Sequence, residues 1–304
     1  MGFGASEMTA GTTPRINAST RIELLAPAKI NLFLHVLGRR DDGYHELCSL
    51  MCGVSLYDHL VLKPGTRNEM VCSHPGLPCD SSNLAFKALL AFNRDLRAAA
   101  AVTPRPISIH LTKHIPIGAG LGGGSSDAAA VLKGLNRFYG GPFDHDRLHA
   151  LAVRLGADVP FFIDQRPALA EGIGERLTPY SGLPALWTVL VYPGFGLSTA
   201  AVFKNLNLAL TKSKKKLRKL PFKNGNFSAP QHLRNDLEAG VGERLPVIQK
   251  IKEELVALGA IGSLMTGSGS VVYGLFPDAA GANKAKEALD GASERQVFVA
   301  RLLT

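Results

Sequence analysis

Apolar residues recur along this chain with two periods, and the alternation between them predicts a mixed α/β protein. Ile107, Ile109 and Leu111 alternate with Ser108, His110 and Thr112, the pattern of a half-buried strand. Further strands are expected through Ile22, Leu24 and Leu25 and through Leu32, Leu34 and Val36, with Pro27-Ala28-Lys29 between them or opening the second. Others fall around Leu56, Leu60 and Val61, over Thr188 to Tyr192, through Val271 to Leu275 and over Val297 to Leu302. The helical period is plainest where Leu148, Leu151, Ala152 and Leu155 fall at i, i+3, i+4 and i+7, capped by Asp144 and closed by Gly156. Helices are also predicted after Ser82-Asn83, from Ser126 to about Phe138, after Ser198-Thr199, from Leu245 to Leu258 and from Ala282 to Leu289. The closing helix, strand, helix, strand order suggests helices on one side of a small sheet, an α+β arrangement.

Between the strand at 107–112 and the helix after it lies Pro116-Ile117-Gly118-Ala119-Gly120-Leu121-Gly122-Gly123-Gly124-Ser125-Ser126. Five glycines in seven residues cost entropy on folding, so they imply left-handed backbone or the close approach of amides to a ligand. A glycine loop feeding a helix N-terminus, with Ser125 or Ser126 as its cap, offers amide donors and a positive dipole to a phosphate group. It is not a Walker loop, because no lysine stands between Gly124 and Ser125. Nor does an acidic residue after a second strand complete a dinucleotide fingerprint. A loop that simply packs a helix tightly on a sheet is the structural alternative.

Three further places could carry chemistry. Lys29 and Asn31 alternate with apolar neighbours and so share one face of an extended segment. The charged turn from Gly38 to Leu47 sets Tyr44 beside His45, which as a plain structural feature would just resume a strand. Asp158 sits in the short turn Gly156-Ala157-Asp158-Val159-Pro160 that delivers the chain to Phe161-Phe162-Ile163. Turn aspartates ordinarily accept backbone N–H bonds. Burial beside two phenylalanines would disfavour its charge unless a cation stood close, and Lys29 is the natural candidate.

Composition changes the picture little. The formal charge of +9 invites a nucleic-acid reading, but Lys212, Lys214, Lys215, Lys216, Arg218, Lys219 and Lys223 carry seven of the positive charges with no acid among them. The basicity is local, and we expect neither a nucleic acid nor a membrane as partner. Cys48, Cys52, Cys72 and Cys79 match no zinc spacing, even with His74 nearby, and read as reduced thiols of a cytoplasmic protein. No apolar stretch reaches the length of a membrane span. Residues 1–18 read as a loose tail, 19–178 as one domain with the glycine loop, and 179–304 as a second.

Pro27-Ala28-Lys29-Ile30-Asn31-Leu32, the glycine loop and Met265-Thr266-Gly267-Ser268-Gly269 resemble, in order, the three signatures of the GHMP kinases. That superfamily takes its name from galactose, homoserine, mevalonate and phosphomevalonate kinases. Gly43-Tyr44-His45-Glu46-Leu47 and Gly156 to Phe162 are similar to its branch that acts on a cytidine diphosphate ester of methylerythritol, on the route to isoprenoids. The resemblance implies two domains with ATP, Mg²⁺ and a small-molecule substrate in the cleft between them, in a monomer or homodimer. It makes Lys29 and Asp158 the catalytic pair, with Asp158 taking the proton of the substrate's 2-hydroxyl. Tyr44 and Phe203 would sandwich cytosine, His45 would read its edge, Asn31 would hold the same substrate and Thr199 its diphosphate. Asn83, Lys113, Pro116, Gly118, Gly120, Gly122, Gly123, Gly124, Ser125 and Ser126 would form the ATP site. No metal ligand is assigned, since Gly122-Gly123-Gly124 stands where other members place Ser-Ser; Ser125 and Ser126 are left as candidates. The alternatives are a homoserine- or mevalonate-type kinase, a non-catalytic nucleotide-binding relative, and a nucleic-acid binder working through 212–223.

Overall fold

Ile22 to Arg39 form one strand, β1, where two were expected. In the computed structural model, which describes residues 21–100, 102–206, 227–291 and 294–304, the stretch read as a break is a β-bulge. The register against the next strand shifts between Pro27 and Ala28 and again between Asn31 and Phe33. A bulge accommodates a residue that has no N–H to give to the ladder. From Ala26 to Leu34 both faces are covered, so the alternation that marks a half-buried strand is missing. Lys29 and Asn31 lie inside that run, 4% and 3% exposed. The expected tail and the lysine-rich stretch 212–223 lie outside the described residues.

The chain turns at 40–44 into β2 (His45–Pro64) and continues through β3 (Glu69–Cys72), α1 (Leu84–Ala100) and β4 (Ile107–Thr112). Next come α2 (Gly123–Phe138), α3 (His145–Leu155), α4 (Val159–Asp164) and the hairpin of β5 (Ala168–Gly172) with β6 (Arg176–Pro179). The second half runs β7 (Trp187–Tyr192), α5 (Thr199–Asn205), α6 (Ala229–His232) and the two-residue β8 (Arg234–Asn235). It ends with α7 (Leu245–Ala257), β9 (Gly262–Met265), β10 (Val272–Phe276), α8 (Ala279–Leu289) and β11 (Gln296–Leu303).

β2 is the hinge of the architecture, antiparallel to β1, β4 and β5. β11 runs antiparallel to β7, and its end, Leu302 and Leu303, pairs with Val54 and Gly53 of β2. The second sheet, β11-β7-β10-β9, is thereby sewn to the first. Helices α1 to α4 bury the first sheet's outer face, α7 and α8 do the same for the second, and a third cluster around Ile30, Leu121 and Tyr273 fills the space between. Val131, Leu132 and Leu135 of α2 are completely buried, each contributing about 1.5–3 kcal/mol. At Gly134 a Cβ would meet Leu24 and Leu62 at 2.5 and 2.6 Å, so this glycine sets how closely α2 lies on the sheet.

Two boundaries differ from the sequence reading. α2 begins at Gly123, with Gly122 as its N-cap in the left-handed region at φ 70, so Ser125 and Ser126 lie within the first turn and neither hydroxyl caps it. Val159 to Asp164, read only as a turn and the apolar residues after it, is a short helix with Asp158 as its N-cap and a proline in the first two positions, where the missing N–H costs nothing.

Candidate active site

Three segments far apart in sequence meet behind β1. The backbone N–H of Lys29 donates to the carbonyl of Leu121 at 2.9 Å, tying the strand to the glycine loop. The N–H of Val271 donates to Ala119 at 3.2 Å, tying the loop to the segment 266–270. Gly118, Gly120 and Gly122 all take left-handed φ, 64°, 80° and 70°. A side chain at Gly120 would overlap the Thr266 carbonyl, and one at Gly122 would stand 3.0 Å from Phe162 and 3.1 Å from Lys29. Here the glycines serve backbone conformation and close approach together.

Around this junction opens a cavity of about 1150 Å³. Its wall includes Lys29, Tyr44, His45, Asn83, Lys113, Pro116, Gly118, Gly120, Gly122, Gly123, Gly124, Ser125, Asp158, Thr199 and Phe203. Of the expected site residues, only Asn31 and Ser126 fall outside the wall. Asn31 was expected to hold substrate; its side chain instead accepts from Lys29 Nζ at 2.6 Å and donates to Ser49 Oγ at 2.7 Å, one layer behind. The run of buried positions on both faces of β1 is what pulls it inward. Ser126 is 1% exposed, turned into the core by the helix that begins three residues earlier than a serine cap would allow.

Lys29 Nζ lies 3.7 Å from Asp158 Oδ2. Asp158 caps α4 only by position: its carboxylate takes no helix N–H, and 38% of the side chain is exposed, more than its phenylalanine neighbours suggested. It is therefore free to face the cavity. The tip of the β5–β6 hairpin closes over it, with Gly174 placed so that a Cβ would stand 3.9 Å from Asp158 Oδ1.

At the other end of the cavity the β1–β2 turn is braced by Arg40, which bonds Asp42 and Glu46, while the Tyr44 N–H donates to Asp42. The turn presents Tyr44, 61% exposed. His45, next along the chain, stacks on Phe203 of α5 with ring centroids 4.9 Å apart and planes at 26°. Burial, with Arg39 adding to it, holds His45 below the ordinary imidazole value, so its ring is neutral at pH 7. Thr199 Oγ1 lies 2.8 Å from Ser268 Oγ, joining α5 to the 266–270 segment. Asn83 is engaged at the head of α1, accepting from Ala85 N and donating to the Pro78 carbonyl.

Sequence reasoning missed an acidic pair beneath the glycine loop. Lys113 Nζ is bonded by both Asp58 and Asp127. Asp58 also accepts from the backbone of His114 and Ile115, at 2.6 and 2.9 Å. Burial, and then the charge of Asp58, pushes Asp127 up to about 7 against the pull of Lys113. Burial pulls Lys113 down, but the two carboxylates outweigh it and hold the ammonium above its ordinary value. Asp127 directly follows the loop serines, and an acid so near a phosphate loop was the available signal. Among the described residues no group of three or more His, Cys, Asp or Glu is arranged to hold a metal, and no helix is long and apolar enough to cross a membrane.

This geometry joins a lysine–aspartate pair to a glycine loop at a helix N-terminus, the equipment of phosphoryl transfer. Residues 83–166 match the model of the GHMP kinases N terminal domain and residues 212–294 that of the GHMP kinases C terminal domain. The chain is 47% identical to a 4-diphosphocytidyl-2-C-methyl-D-erythritol kinase of Syntrophotalea carbinolica, over 90% of this chain and 96% of that one. It is 45% identical to its namesake from a Geobacter species, over 85% and 90%. A crystal structure of 4-(cytidine 5'-diphospho)-2C-methyl-D-erythritol kinase superposes with a TM-score of 0.76 at 38% identity, covering 92% of this chain and 99% of that one. A homoserine kinase from Cytophaga hutchinsonii, at 18% identity and TM-score 0.66 over 97% and 98%, shares the fold. The chain is an ATP-dependent small-molecule kinase and belongs to the GHMP kinase family, in the branch of the 4-diphosphocytidyl-2-C-methyl-D-erythritol kinases.

Proposed function

We infer that this chain transfers the γ-phosphoryl group of ATP to the 2-hydroxyl of 4-diphosphocytidyl-2-C-methyl-D-erythritol, giving the 2-phosphate and ADP on the methylerythritol phosphate route to isoprenoid precursors. The observation that carries this reading is the 3.7 Å approach of Lys29 to Asp158 in a cavity bounded by the glycine loop at one end and the His45–Phe203 stack at the other. Phosphoryl transfer asks for positioning and charge neutralisation more than covalent chemistry. Asp158 accepts the hydroxyl proton as the new O–P bond forms, and the bond from the γ-phosphorus to the β-bridging oxygen breaks to release ADP. Lys29, 3.7 Å from that carboxylate, faces the charge that builds on the phosphoryl oxygens. The amides of the loop and of the first turn of α2, left without a side-chain cap, hold the phosphates.

Cytosine offers a flat face and an edge with both donor and acceptor atoms. Phe203 and Tyr44 supply aromatic surface, and a neutral His45 has one ring nitrogen to donate and one to accept. Thr199 lines the same cavity, opens the helix that carries Phe203 and bonds Ser268, a position suited to the diphosphate. Mg²⁺ bound to the triphosphate supplies further charge neutralisation, and it commonly keeps waters and phosphate oxygens as most of its ligands. The amino-terminal half, 19–178, brings the base, the lysine and the loop, and the carboxy-terminal half, 179–304, the second aromatic wall. A cytoplasmic monomer or homodimer completes the reading.

A coupled ADP-release assay on the purified chain tests it. ADP appears with the cytidyl substrate and not with mevalonate or homoserine; release with either of those at comparable rate assigns the chain to a small-alcohol kinase instead.

A further inference from the structure

We propose that Asp127 is the protein ligand of the divalent cation that accompanies the nucleotide, an inference that rests on the ATP site inferred above. Asp127 stands in α2 immediately after the glycine loop and lines the cavity where the triphosphate is expected. Its two oxygens are unequally used. Oδ2 accepts from Lys113 at 2.9 Å, whereas Oδ1 is buried and has no hydrogen-bond partner. The side chain as a whole is 4% exposed. Native proteins rarely leave a buried carboxylate oxygen unmatched, and a bound ion is one way in which it is completed.

Asp58, the other acid on Lys113, has no such capacity. Its Oδ1 takes the N–H groups of His114 and Ile115 and its Oδ2 takes the Lys113 ammonium, so it is spent on shaping the segment that leads into the loop. Two carboxylates sharing one ammonium leave the pocket beneath the loop with an excess of negative charge whenever both are ionised. A triphosphate would be repelled there. A hard cation between Asp127 and the phosphates reverses the sign of that interaction, and one carboxylate with phosphate oxygens and waters is a set that suits Mg²⁺. Were Asp127 present only to hold Lys113, its Oδ2 would suffice, and an amide in its place would keep that contact through the oxygen.

The test uses Mn²⁺ as the probe, a non-hydrolysable ATP analogue and the full chain, unaltered and as Asp127→Asn. Free Mn²⁺ is followed by electron paramagnetic resonance. The variant's nucleotide complex binds Mn²⁺ roughly tenfold or more weakly than the unaltered one. With EDTA present, the variant binds the analogue as tightly or more tightly, because one negative charge is gone. Equal Mn²⁺ affinity, or equal losses of analogue binding with and without metal, overturns the assignment. An unaltered chain that binds no analogue under either condition overturns the ATP reading itself. If the variant does not fold by circular dichroism, Asp127→Glu decides, since it keeps the charge beside Lys113 and moves the carboxylate by one methylene. A changed Mn²⁺ affinity of its nucleotide complex, with metal-free analogue binding unaltered, supports Asp127, and an unchanged Mn²⁺ affinity overturns it.

Discussion

Lys29 stands 2.6 Å from the amide oxygen of Asn31 and 3.7 Å from the carboxylate of Asp158, so it is fixed within its own strand first and offered to the aspartate second. At 3.7 Å the pair is a charge contact and not a hydrogen bond, which leaves the Asp158 lone pairs available to a substrate hydroxyl. Asp158→Asn keeps the shape and removes the base. We expect kcat to fall by about 10²–10⁴ with ATP binding retained, as steady-state kinetics and a direct nucleotide titration would show. Unchanged kcat would take Asp158 out of the mechanism.

Asn31 acts through Lys29. In Asn31→Leu both Lys29 and Ser49 lose a buried partner, a cost of about 1–3 kcal/mol that denaturant unfolding would register. The kinetic loss should fall on kcat, since the lysine loses its anchor while the cavity wall keeps its groups. A rise in KM alone, with stability unaltered, would instead mean that Asn31 touches substrate.

Much of this site could be read from residues near one another in sequence. The glycine loop, the strand before it, the Asp144 cap and the pairing of Lys29 with Asn31 on one face all follow from local pattern, and the structure keeps them. What local pattern misses is set by partners distant in the chain. β1 is a single strand because β2 pairs along its whole length and absorbs Pro27 at a bulge. β9 went unread because Gly262 to Met265 is short and takes its identity from β10. The Asn31 side chain is held inward by Ser49, which accepts from its amide, and by Thr266, which donates to its oxygen from 235 residues away. Asp127 was in plain view, but its importance depends on Asp58, from within β2, and Lys113, just after β4, arriving beside it.

Gly120 reports on how tightly the loop and the 266–270 segment are pressed together. It sits at φ 80, and a methyl group there would overlap the Thr266 carbonyl. Gly120→Ala should cost about 1–3 kcal/mol from backbone strain alone and lower ATP affinity, because the loop must move to make room. Gly124→Ala is the control, with nothing within 4 Å of an added Cβ. Equal melting temperatures for the two variants would contradict the close packing.

The His45–Phe203 stack predicts where specificity is lost. Phe203→Ala removes the wall proposed to stack on cytosine, a contact of about 0.5–1.5 kcal/mol beyond its buried area, so KM for the cytidyl substrate should rise at least about 2- to 12-fold while KM for ATP stays constant. Parallel increases in both values would place Phe203 at the nucleotide end instead.

The cysteines give a readout of both burial and occupancy. Burial pushes the Cys52 thiol up to about 12, so at pH 8 roughly one part in ten thousand is thiolate, and that fraction is shielded from reagent. Cys72 is half-buried, its thiol also raised by burial, whereas Cys79 is exposed in the segment before α1 whose Leu77 and Pro78 border the cavity. Ellman's reagent should therefore modify Cys79 first and Cys72 more slowly, and reach Cys52 only after guanidinium unfolding. Saturating ATP should slow the Cys79 reaction, because a nucleotide seated against Asn83 and the glycine loop covers that segment. Peptide mapping of the labelled chain checks both statements, and rapid native labelling of Cys52 would contradict its place in the core.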